Sequence, residues 1–98
     1  MSWLVEILLP VVAGRESEHA QVRAELLERF GGVTVWSRSP ARGLWKAEAG
    51  RAETDDIIVY EVLAPELDRG WWSAYRLQLE GRFVQASVLI RAGRITLL

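Results

Sequence analysis

The chain has 98 residues, half of them hydrophobic and 26% charged, with 12 basic against 13 acidic side chains and a net charge of −1. That composition argues against a disordered or membrane-spanning chain and predicts one domain over residues 1–98. It also lacks the basic excess expected of a binder of nucleic acid or of an anionic membrane. Without cysteine there is no disulfide, thiolate metal site or Cys nucleophile, and with His19 as the single histidine there is no multi-histidine metal centre.

From Trp3 to Leu9 the residues alternate, Trp3, Val5, Ile7 and Leu9 against Leu4, Glu6 and Leu8. Both sets are largely apolar, which predicts a central strand. The stretch 3–13 has no preceding Lys or Arg, carries Glu6, and is too short to span a bilayer. It therefore reads as a strand of a cytoplasmic protein rather than a signal peptide. Pro10 ends regular pairing. From about Glu16 to Phe30, Val22, Leu26, Leu27 and Phe30 recur at helical spacing, Ser17 is the expected cap, and Gly31-Gly32 ends the helix. His19, in the first turn, reads as a surface residue.

Val33 to Ser39 is β-branched and aromatic and predicts a strand. Residues 39–43 (SPARG) predict a turn, Leu44 to Ala47 a short return strand, and residues 48–54 a polar loop. Asp55-Asp56 reads as a strand-entry turn, with no further ligand at metal-site spacing. Ile57 to Leu63 is the next long strand. Pro65 suits an early helical position, and Trp72, Tyr75 and Leu79 form the stripe of a second helix over 66–80 that Gly81 ends. Adjacent Trp71 and Trp72 diverge by about 100° on a helix, so one is expected in the core and the other half-exposed. Phe83 to Arg91 alternates as a last long strand, Ala92-Gly93 predicts a tight turn, and Arg94 to Leu98 a short extra strand.

The order is β-α-β-β-α-β, the ferredoxin-like plan of the α+β class, with an antiparallel sheet in strand order 4-1-3-2 and both helices on one face. The other face then presents Leu4, Glu6, Leu8, Ile57, Val59, Glu61, Leu63, Phe83, Gln85, Ser87 and Leu89, a mostly hydrophobic area of the kind that marks an interaction site. A homodimer, by sheet-on-sheet stacking of the dimeric α+β barrel kind or by edge pairing, is the favoured partner; shielding by the 48–55 loop or the terminal strand is the alternative. Glu6, Glu61 and Gln85 are expected near strand middles on this face, with Trp36 and Arg38 on the neighbouring strand and Trp45 on a hairpin at its edge. These six residues are the candidate ligand-binding set. Three readings stand for them: an ordinary ion-pair row, a polar cluster fixing dimer register, and a pocket in which a carboxylate acts as general base.

Leu9-Pro10, Phe30-Gly31-Gly32-Val33-Thr34, Gly43-Leu44-Trp45 and Phe83-Val84-Gln85 together resemble small bacterial proteins of this plan for which no activity is assigned. The resemblance spans most of the chain and implies a fold without carrying catalytic residues. No phosphate loop, dinucleotide fingerprint or nucleophile elbow is present in the sequence. The expectation is therefore a dimeric interaction or small-ligand-binding module with no cofactor, no metal, no nucleic acid and no membrane partner. A cofactor-free enzyme using Glu6 or Glu61 as base is the alternative.

Overall fold

The structure is a computed structural model that describes the backbone of residues 2–46 and 52–98 and the side chains of residues 2–37 and 56–98. Its elements are β1 (Ser2–Pro10), α1 (Glu16–Phe30), β2 (Thr34–Lys46), β3 (Ala52–Ala64), α2 (Arg69–Arg82) and β4 (Leu89–Ile95). The strands form one antiparallel sheet in the order β2-β3-β1-β4. The chain is thus α+β with the expected element order and strand neighbours.

Alternation sorts the side chains. Val5, Ile7 and Leu9 of β1 and Tyr60 and Val62 of β3 are buried with Val22 and Leu26 of α1 and Trp72, Tyr75 and Leu79 of α2 in one cluster. Both helices therefore supply the core on the same face of the sheet. Trp72 is buried while Trp71 is partly buried against the cluster, the division expected for adjacent helical positions.

Local chemistry explains where the elements differ from expectation. At the start of α1, Arg15 occupies the cap position with no side-chain cap bond, and the Ser17 hydroxyl donates to the neighbouring Glu18 instead. Gly31 ends the helix in the left-handed conformation, φ 77°, its N–H donating to the Leu27 carbonyl. The SPARG segment is not a turn. It continues β2 through a pairing irregularity between Arg38 and Gly43, which an edge strand tolerates because Pro40 needs no partner for a missing N–H. Residues 52–54, expected in a loop, already belong to β3 and pair with Leu44, Trp45 and Lys46. α2 starts later than 66, because the Asp68 carboxylate accepts the Trp71 N–H and fixes the first turn there; Pro65 stays outside.

The largest correction lies after α2. The helix runs past Gly81, and Phe83, expected on a strand, is its buried C-cap. Val84 then turns in the left-handed region, φ 54°, with its N–H on the Gly81 carbonyl and that of Gln85 on the Glu80 carbonyl. The last strand therefore begins at Leu89 and runs without a turn through Ala92-Gly93, and residues 96–98 add no further strand.

Candidate functional site

The pairing register lays the helix-free face out in rows. Glu6 pairs with Glu61 on one side and Arg91 on the other, and Thr34 pairs with Glu61, giving the row Thr34–Glu61–Glu6–Arg91 across all four strands. One step along the strands runs a second row, Trp36–Val59–Leu8–Leu89. A polar row thus lies beside an apolar one. Trp36 and Leu89 at the ends of the apolar row are each 53% exposed, Leu8 is half-buried, and central Val59 is buried. Leu63, paired with Leu4 beyond the polar row, is exposed as well.

Two carboxylates opposite each other on paired strands repel. Here Glu6 is compensated: Arg91 Nε donates to its Oε1 at 3.0 Å. Among the described residues no cation pairs with Glu61. Glu6, Glu61 and Trp36 are therefore brought together as the alternation implied. Arg38 pairs with Ile57 and Trp45 with Glu53 in the backbone register, while their side chains lie outside the described residues. Gln85 does not join the group. It lies in the turn after α2, its side-chain amide donating to the Phe83 carbonyl at 3.2 Å, because Phe83 caps the helix rather than opening a strand.

The helix side holds two further arrangements. His19 is buried, not on the surface. Its Nε2 lies 3.0 Å from the Pro10 carbonyl and must donate to it, so Nδ1 accepts the Tyr60 hydroxyl at 2.5 Å. Phe83 packs edge-on to the imidazole. Burial lowers the His19 pKa, outweighing the opposing bond to Pro10, and burial raises that of Tyr60, so the neutral imidazole and the protonated phenol are the matching states. His19 is fully engaged in holding α1 to β1 and β3. The signal was present in the sequence, since His19, Val22, Leu26 and Phe30 share one helical stripe.

The second arrangement joins the helices. Arg82 forks onto Glu25, 2.7 and 3.1 Å, and the Tyr75 hydroxyl donates to the same carboxylate at 2.9 Å. Burial pushes the Glu25 pKa up, but these three bonds outweigh it and hold the carboxyl below its ordinary value. This is a structural clamp that ties α1 to α2.

Among the described residues, clefts on the helix side include one of about 270 Å³ between α2 and the β1–β4 edge and one of about 250 Å³ beside Glu25 and Tyr75. Among the described residues no group of three or more metal-ligating side chains gathers, and no helix is long and apolar enough to cross a membrane.

No protein-family model matches the chain, and no curated protein matches it. Among solved structures the chain is similar to a phage SAM lyase in complex with S-methyl-5'-thioadenosine, with a TM-score of 0.67 and 16% identity over 95% of this chain and 81% of that one. At that identity the likeness is one of fold. It covers nearly the whole chain.

Proposed function

We propose that the chain is a small-ligand-binding module that works as a homodimer, two copies of a ferredoxin-like unit stacking their helix-free faces in the manner of a dimeric α+β barrel. The observation that carries this reading is the pair of rows. The exposed apolar ends at Trp36 and Leu89 need cover, and the Glu61 carboxylate in the neighbouring polar row offers directed hydrogen-bond acceptors at the border of the apolar one. The fold neighbour's ligand, methylthioadenosine, supplies the first chemical class to test. A purine suits stacking on Trp36, a ribose diol suits donation to a carboxylate, and a methylthio group suits Leu8 and Leu89. The Glu6–Arg91 pair supports a binding module over an enzyme, because it ties one of the two sheet-face carboxylates into a contact between β1 and β4. The enzyme alternative rests on Glu61 alone, which has no cation partner among the described residues.

Sedimentation equilibrium and thermal denaturation with methylthioadenosine test the proposal together. The expected result is a dimer that Leu8→Glu weakens, and a melting temperature that rises with ligand concentration by mass action and loses that rise in Trp36→Ala and Glu61→Gln. A stable monomer at micromolar concentration overturns the dimer. Stabilisation that survives both substitutions overturns the site. Turnover of the ligand, abolished by Glu61→Gln with binding retained, would establish the enzyme reading instead.

A further inference from the structure

The larger cleft lies on the opposite side of the sheet from the two rows. Its apolar part comes from Trp3, Trp72 and Ile90. Its polar wall is one stripe of α2: Arg69, Ser73 and Arg76 stand at i, i+4 and i+7 and line the same opening. In a chain of net charge −1 this is a local concentration of positive charge, because Arg94 also stacks over the Trp3 ring, 5.1 Å from its centroid. Three acids of the surrounding elements are engaged, one of them by Arg76 of the cleft wall. Glu80 lies 3.5 Å from Arg76 and accepts the Val88 N–H, Asp68 caps α2 and meets Arg29 at 4.0 Å, and Glu6 holds Arg91 on the other face. Arg69 has no acidic partner among the described residues, and the first turn of α2 carries no acidic residue that would oppose the positive end of its dipole.

We propose that this cleft binds a planar organic anion, an aromatic or heteroaromatic body carrying a carboxylate or a phosphate. The flat body lies against Trp3 and Ile90 with buried Trp72 behind them, and the anionic group meets Arg69 and Arg76 with the Ser73 hydroxyl between them. Two guanidinium groups suit either oxyanion, since both accept forked N–H pairs. Aromatic rings on an apolar floor favour a ring-bearing anion over inorganic phosphate or a simple aliphatic acid.

Isothermal titration of the intact protein with two pairs of probes tests this: indole-3-acetate against its neutral amide, and phenyl phosphate against phenol. The expected result is saturable binding of at least one anion, about tenfold tighter than its neutral counterpart, and weakened by salt. Whichever anion binds more tightly identifies the oxyanion. Arg69→Gln alone and Arg69→Gln/Arg76→Gln together should lower the affinity stepwise, about tenfold for the pair, while Trp36→Ala and Glu61→Gln leave it unchanged. Equal binding of the neutral probes, unchanged affinity in the arginine variants, loss of affinity in Trp36→Ala, or no saturable heat from either anion up to about 1 mM would each overturn the proposal. Because the arginines are exposed and the control residues lie on the other face, failure here leaves the sheet-face reading standing, and the reverse holds too.

Discussion

Replacing Val84 by glycine should leave a more stable protein than replacing it by alanine, reversing the usual order of those two residues. Val84 sits at φ 54° with 70% of its surface exposed. A left-handed conformation costs an L-residue about 1–2 kcal/mol, at the upper end for a β-branched side chain. Alanine keeps most of that cost and glycine removes it. Glycine in turn loses about 0.5–1 kcal/mol through the greater freedom of its unfolded chain. The remaining difference favours V84G over V84A by about 0.5–1 kcal/mol, or about 3–6 °C in a domain of this size. At an ordinary helical or strand position alanine would win by a similar margin. Urea unfolding read by tryptophan fluorescence measures the difference, and equal m-values for the two variants would show that it lies in stability rather than in the denatured state. A V84A protein as stable as V84G or more so would refute the reasoning, because the left-handed turn then imposes no strain that a missing Cβ relieves.

Lowering the pH should destabilise the fold through His19. Its pKa is lowered in the folded state, so its contribution is complete above the unfolded value of about 6.5 and is lost as pH falls below it; His19→Gln should flatten that part of a stability–pH curve. Tyr75→Phe removes one hydrogen bond to the charged Glu25 and leaves the Arg82 fork, so chemical denaturation should register a loss of about 1.5 kcal/mol, and a neutral result would mean water replaces the phenol without cost. Asp68→Ala removes the α2 cap and should lower stability by about 1 kcal/mol, which Asp68→Asn should largely restore.

The four strands and two helices were legible because their periods were clean, and Val5, Ile7, Leu9, Tyr60 and Val62 went to the helices as alternation required. Glu6, Glu61 and Trp36 were placed together by the same rule. What misled was chemistry that period does not carry. Phe83, Gln85, Ser87 and Leu89 alternate with Val84, Ala86, Val88 and Ile90, yet Phe83 caps α2 and is buried edge-on to His19. The left-handed turn fell on Val84, where sequence gives no warning, rather than on Gly81. Pro40 marked a turn by composition but lies in an edge strand that has no need of its N–H. The clamp of Glu25, Tyr75 and Arg82 joins residues 50 and 57 positions apart, which no local pattern connects.

The row arrangement of the sheet also determines which length changes the chain can absorb. β1 is paired on both sides, so removing or adding one residue between Trp3 and Leu9 would turn Glu6 beneath the helices and push buried Ile7 outward. Both neighbouring registers would have to slip with it. The pairing of Gly43–Lys46 with Ala52–Asp55 lies past the last β1 partner, Ile57, and touches no third strand. There, deletions can be absorbed if they come in matched pairs, one residue from each arm, while a single deletion reverses the facing of everything distal to it. Length variation should therefore be even in the β2–β3 ribbon and absent from β1, and a library of one- and two-residue deletions scored for soluble expression would display that parity directly.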